Sequence, residues 1–217
     1  MIRHLFVAAT LAFGLAPAAR AAEADAQLWV AGSASVQLDP RTRIYGSYGQ
    51  RFSTIRDGLY SDSGRVVAIY KLSDRVSLGA GFVHLQILDH GRRTSTLERP
   101  FEQLDIDLGG GFSSRTQIEQ SFVTGPSEMG WRLRERIGWS RLLDADTRIS
   151  LGGEAFVTVI SPRGGTEGFT RLRGTATLSQ PISSSLVLSV GYIHQWTRRP
   201  ADDEIIHAAN LRLSAFF

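Results

Sequence analysis

The chain has no cysteine among its 217 residues. That excludes a disulfide framework, a thiolate metal site and the acylated cysteine of a lipoprotein. Long hydrophobic runs are scarce as well. The main one, Leu5 to Leu15, falls short of the ~20 apolar residues that a membrane-crossing helix needs, and Gly14 and Pro17 interrupt its neighbourhood. Beyond it, no stretch repeats apolar residues with the 3.6-residue period of an amphipathic helix, which argues against α and α/β folds. No glycine-rich phosphate loop follows a strand, and no His/Cys spacing fits zinc. No low-complexity linker divides the chain, so a single domain is expected.

The N-terminus reads as an export signal. Arg3 supplies the positive charge, Leu5 to Leu15 the apolar segment, and Ala19-Arg20-Ala21 the small-x-small cleavage pattern. Cleavage after about Ala21 divides the chain into a signal peptide, residues 1–21, and a mature domain, residues 22–217. The net charge of +3 and pI of about 9.7 invite a nucleic-acid reading. An exported chain rarely meets nucleic acid, and the arginines do not form one cluster, so no nucleic-acid partner is expected.

What the mature chain does have is alternation. Side chains of a strand point to opposite faces with period 2. Leu28, Val30, Ala34, Val36 and Leu38 share one face against Gln27, Trp29, Ser33, Ser35 and Gln37. Trp131, Leu133, Ile137 and Trp139 oppose Arg132, Arg134 and Arg136. Leu186, Leu188, Val190 and Tyr192 form another such row, and Ile205 to Phe217 closes the series with Ala209, Leu211, Leu213, Ala215 and Phe217 on one side. A mean hydropathy of −0.07 fits strands that mix lipid-facing apolar with inward polar residues. Connections alternate between tight, near Pro40, Asp74, Gly110, Asp144 and Pro181, and longer. The longer ones include Ser53 to Ser63, Asp89 to Ser95, Gly125-Pro126 and Thr197 to Glu204.

A final strand ending on Phe217 resembles the insertion signal of bacterial outer-membrane β-barrels, which implies recognition of Ile205-Phe217 by the barrel-assembly machinery. The fold class predicted is all-β: a transmembrane antiparallel up-and-down β-barrel of ten to twelve strands in the outer membrane. Eleven alternating segments are visible, whereas bacterial barrels use even numbers; ten strands from Arg43 to Phe217 would satisfy that rule, leaving Gln27 to Leu38 in doubt. Trp131 and Trp139 stand eight residues apart, about 26 Å along a strand and about 20 Å once tilted, near the height of an apolar band flanked by aromatic girdles. Phe82, Phe122, Trp131, Tyr192 and Trp196 are assigned to the outer girdle, and Tyr70, Trp139 and Phe217 to the inner one. A soluble β-sandwich would bury alternate faces equally well; the girdle spacing and the loop lengths weigh against it.

Several short motifs, taken in order, resemble the domain-of-unknown-function 2490 family of bacterial outer-membrane proteins. They are Gln27-Leu28-Trp29, Glu98-Arg99 with Gln103, RTQIEQSF from Arg115 to Phe122, WRLRERIGW from Trp131 to Trp139, Gly153-Glu154-Ala155-Phe156, the Arg171 strand, and GYIHQ from Gly191 to Gln195. The resemblance implies a barrel and no agreed activity. Glu135 departs from it, because that lipid-facing position is usually apolar or aromatic.

Alternation sends many arginines inward. Arg115, Glu119, Arg132, Arg134, Arg136, Glu154, Arg171 and Arg173 are the candidate lumen-lining residues. The expected function is that of a non-enzymatic barrel whose lumen is largely filled by arginine forks bound to carboxylates and amides. The alternative is a narrow anion-preferring channel, since rings of arginine favour anions. An outer-membrane lipid-modifying enzyme would need a nucleophile beside a base; His84 and His194 on the lipid-facing row are the available bases, and no local signature supports them. Asp105 with Asp107, and Asp202-Asp203-Glu204, are weak Ca²⁺ candidates; neither a metal nor a cofactor is expected. Arg56, Arg92, Arg93, Arg163, Arg198 and Arg199 in the outer loops are positioned to contact lipopolysaccharide phosphates.

Overall fold

The computed structural model describes residues 23–124, 129–144 and 146–217. The signal segment through Ala21, the Gly125-Pro126 loop and Ala145 lie outside the described residues, as does the side chain of Arg163. Eleven strands follow one another: β1 (Glu23–Gln37), β2 (Thr42–Ser53), β3 (Gly58–Lys71), β4 (Val76–Asp89), β5 (Arg92–Gly109), β6 (Phe112–Val123), β7 (Gly130–Leu142), β8 (Arg148–Ile160), β9 (Gly168–Pro181), β10 (Leu186–Thr197) and β11 (Glu204–Phe216). Each pairs antiparallel with its chain neighbours, and β1 pairs with β11 to close a barrel. Even the 12-residue strands reach about 40 Å, or about 30 Å along the axis at the ~40° tilt usual in barrels.

The closing seam is parallel, Ser33 opposite Ser214 and Ala34 opposite Ala215. Of Gln27 to Leu38, which the even-number rule leaves in doubt, all but Leu38 therefore belong to a full strand. An odd count forces this arrangement, because the first and last strands then run the same way. The seam is well made: Phe217 N donates to Ser35 O at 2.8 Å, Gln37 N to Phe217 O at 3.0 Å, and the Ser33 hydroxyl to that of Ser214 at 2.9 Å.

Side-chain direction is what the alternation predicts. Leu133, Ile137 and Leu188 are 39%, 47% and 36% exposed on the outside, while the side chains of Arg134 and Arg173 are only 21% and 12% exposed inside. Val66, Tyr70, Leu78, Phe82, Val190, Leu211 and Leu213 continue the apolar exterior. Carboxylates interrupt it, among them Glu102 and Glu135. Glu102 lies between the inward, buried Phe101 and Gln103 and is itself exposed. Glu135 faces outward and accepts hydrogen bonds from the Ser114 and Thr116 hydroxyls, both at 2.6 Å.

The loops are shorter than the sequence suggests. Of Ser53 to Ser63 only residues 54–57 leave the sheet, and of Asp89 to Ser95 only His90 and Gly91. Both of those have positive φ, 47° and 75°, the backbone of a two-residue hairpin turn that lets strands pair to their tips. Polar residues there read as loop, but a strand that projects beyond the membrane has no need of an apolar face.

At the opposite rim, side chains organise the turns. Asp39 Oδ1 accepts from Arg41 N and Thr42 N at 2.8 and 2.9 Å, and Asp144 Oδ1 from Asp146 N and Thr147 N at 2.9 and 2.7 Å. Hydrogen bonds from Thr42 and Arg41 hold Asp39 below the usual carboxylate range, and those from Thr147 and Asp146 do the same for Asp144. A lowered folded-state value stabilises above the unfolded pKa of about 4 and is lost as pH falls through the folded one. Substituting both Asp39 and Asp144 by Ala should shrink the loss of urea resistance between pH 5 and pH 2; an unchanged acid slope would refute this role. The seam has its own test. With no native cysteine, Ser33→Cys with Ser214→Cys should oxidise to an intramolecular disulfide in the folded barrel. A ten-strand closure between β2 and β11 would leave the two thiols unjoined.

Candidate functional site: an arginine-lined lumen

The interior is built by inward rows of several strands. Glu119 on β6, only 1% exposed, is the hub. It accepts from Arg132 Nε at 2.7 Å and from Arg132 Nη2, from Arg134 Nη1 at 3.4 Å, and from Gln117 Nε2 at 2.8 Å; Arg99 Nε is 3.4 Å away. Glu154 on β8 is the second hub, bonded by Arg134 Nε at 2.6 Å and Arg173 Nη1 at 3.1 Å. Arg134 thus bridges the two carboxylates. Arg173 also donates to Gln195 Oε1 at 2.9 and 2.7 Å.

Aromatic rings inside the lumen hold several of the guanidinium groups, some of them also bound to the carboxylates. Phe156, 2% exposed, has Arg132 and Arg134 at 5.1 Å and Arg171 and Arg173 at 5.3 Å from its centroid. Trp29 lies under Arg51 at 4.0 Å and Arg173 at 5.1 Å. Stacking of this kind stabilises a cation that has left bulk water. Trp29 is fixed by a chain of polar groups on β1: its Nε1 donates to Gln27 Oε1 at 2.6 Å, and Gln27 Nε2 to Asp25 at 2.5 Å. The Ser53 hydroxyl donates to Asp25 Oδ1 at 2.9 Å. Farther round, Arg65 stacks on Phe101 at 4.2 Å and donates to Gln103 Oε1 at 2.9 Å. Gly79 and Gly81 on β4 make the bed for this pair, since a Cβ on Gly81 would collide with the Phe101 ring and one on Gly79 would come within 2.8 Å of Gln103.

The sequence-assigned lumen residues fall into two groups. Glu119, Arg132, Arg134, Arg136, Glu154, Arg171 and Arg173 all line one cavity of about 1320 Å³; Arg115 stands apart, paired with Asp105 at 2.6 Å. The cavity extends from Arg198 and Arg199 at the loop rim to Pro181 and Phe216 at the tight-turn rim. Among the described residues, its carboxylates are Glu119, Asp146, Glu154 and Glu204, against many more arginines. Sequence reasoning missed Asp25, Phe101 and Phe156 as interior groups. For Asp25 the signal was there, two residues before Gln27 and Trp29 on the polar row of β1.

The residues assigned to girdles sit on the outer face. Tyr70, Phe82, Phe122, Tyr192 and Phe217 are exposed, and Trp131, Trp139 and Trp196 partly so. Trp196 stacks on Phe169 at 5.6 Å and donates to Asp203 at 3.0 Å. Of the outward histidines, His84 bonds Glu98 and Gln86 at 2.7 and 3.1 Å, while His194 packs on His207 at 5.0 Å and His207 meets the Tyr192 hydroxyl at 2.5 Å.

A closed sheet with an apolar outside and a charged, hydrogen-bonded inside is a transmembrane β-barrel. Residues 26–205 match the family described as protein of unknown function (DUF2490), and the chain belongs to that family. An uncharacterized protein of Methylorubrum extorquens is 28% identical over 98% of this chain and 98% of its own length. Among solved structures, the KdgM porin is similar with a TM-score of 0.49 at 15% identity, covering 79% of this chain and 89% of that one. The NanC porin is similar with a TM-score of 0.48 at 12% identity, covering 77% and 87%.

Breaking a buried ion pair by removing one partner costs about 3–5 kcal/mol. Glu119→Gln strips Arg99 and Arg132 of their carboxylate and should lower unfolding stability by about 3 kcal/mol in urea titrations followed by gel mobility. A loss below about 1 kcal/mol would mean that lumen water, rather than Glu119, solvates those arginines.

Proposed function

We propose that this protein is a non-enzymatic outer-membrane β-barrel with a narrow, anion-preferring passage through its lumen. The supporting observation is the cavity of about 1320 Å³ whose lining reaches both rims and is rich in arginine. Arg51, Arg136 and Arg212 line it without a carboxylate partner of their own among the described residues. An uncompensated charge in a dry interior is costly, so these groups favour a lumen that holds water and mobile anions. Positive walls then raise local anion concentration and repel cations.

The second reading, a lumen filled for structure alone, is favoured by the Glu119 and Glu154 hubs, which tie down Arg99, Arg132, Arg134 and Arg173. Of the candidate bases, His84 is engaged with a carboxylate and an amide, and His194 packs on the ring of His207. In the same reading, Ile205-Phe217 is the segment taken up by the barrel-assembly machinery. Arg92 and Arg93 at the tip of β5, with Arg56, Arg198 and Arg199, meet lipopolysaccharide phosphates at the loop rim.

Planar-bilayer recording separates the two readings. The passage predicts discrete conductance steps with anion selectivity, and Arg136→Glu with Arg212→Glu should shift the reversal potential toward cations in a salt gradient. Silent bilayers from protein that shows the heat-dependent gel mobility of a folded barrel would reject the passage and favour the filled lumen.

A further inference from the structure

Among the described residues, Arg171 is the one guanidinium of the lumen with a buried donor left over. Its Nε is shielded from solvent and has no hydrogen-bond partner, whereas a buried donor without a partner is rare and costly in a folded protein. A β-bulge explains its aim. Phe156 opposes Arg171 but Val157 opposes Phe169, so Thr170 is the extra residue of β9, and both Thr170 and Arg171 line the cavity. Bulges of this kind redirect side chains and recur beside functional sites.

The surroundings are cationic. Arg132, Arg173, Arg51 and Arg99 all lie within electrostatic reach of Arg171, and Arg134 shares the Phe156 ring with Arg132, Arg171 and Arg173. The carboxylates that pair with this group are Glu119 and Glu154, bonded to Arg99, Arg132, Arg134 and Arg173. Neither Arg51 nor Arg171 has a share in them. We infer that Arg51, Arg171 and Arg173 form a binding seat for a small multivalent oxyanion of the phosphate class, held where the lumen passes Trp29 and Phe156. This deepens the reading of the lumen as an anion passage and rests on it.

The chemistry favours a tetrahedral oxyanion over a halide. Guanidinium forks pair with oxyanions bidentately, and here they arrive from β2 and β9, on either side of Trp29. A planar carboxylate satisfies one fork. A phosphate presents oxygens in several directions and carries enough charge to answer two arginines at once.

Trp29 provides the readout, because Arg51 and Arg173 both stack on it. Folded protein in detergent micelles, titrated with sodium pyrophosphate against chloride at constant ionic strength, should show a saturable change in tryptophan emission that Trp29→Phe removes. Arg171→Gln should weaken binding at least tenfold, and Arg171→Lys, which keeps the charge and loses the fork, should weaken it severalfold. Arg75→Gln, in the exposed turn between β3 and β4 and away from the cavity, should change it less than twofold. Pyrophosphate should also raise the urea midpoint of the wild type but not of Arg171→Gln. Absence of a saturable response above chloride, or equal affinity in Arg171→Gln, overturns the seat. Micelle binding is read independently of conductance, so a conducting barrel without binding sinks the seat alone, and a binding barrel that never conducts sinks the passage.

Discussion

In hydrocarbon no water is available to a peptide group, so every strand must have a neighbour on both sides. That requirement governs this barrel. Eleven strands cannot be closed by antiparallel hairpins alone, and the unavoidable like-directed seam between β1 and β11 is completed by backbone bonds down to Phe217. Closure then sorts the side chains without further instruction. Most of the leucines face outward, a few apolar residues such as Val67, Ile69, Ile193 and Ile206 are buried inside, and the arginines are trapped with one another and must find partners within the lumen.

The interior resolves that confinement in two ways. Some guanidinium groups share carboxylates, as Arg134 does between Glu119 and Glu154. Others lie on rings, with Phe156 serving four and Trp29 two. Neither device balances the total charge. The remaining imbalance gives the lumen its character, since a wall of one sign becomes less costly when solution ions of the other sign can enter.

Much of this was legible in the sequence, because strand direction follows from period-2 alternation alone. The polar row Gln27, Trp29, Ser33, Ser35 points inward as it reads, and the Arg132, Arg134, Arg136 row does likewise. Three features were not legible. The even-number rule weakened confidence in β1, although its alternation was sound; a statistical regularity overrode a physical one. The hairpin at His90-Gly91 was concealed because strand tips beyond the membrane are polar on both faces. The positions of Phe101 and Phe156 under arginine stacks depend on contacts between strands far apart in sequence and on the empty space at Gly79 and Gly81. No local pattern records such long-range fits.

The parallel seam has a consequence for how the chain reaches the bilayer. Taken as hairpins, eleven strands make five pairs and leave one strand without a mate, and the parallel seam puts that strand at an end of the series. Glu23 sits level with Glu204, on the far side from Phe216. A peptide spliced ahead of β1 and another spliced behind β11 would therefore emerge into different compartments, as if the barrel were a single stitch drawn through cloth.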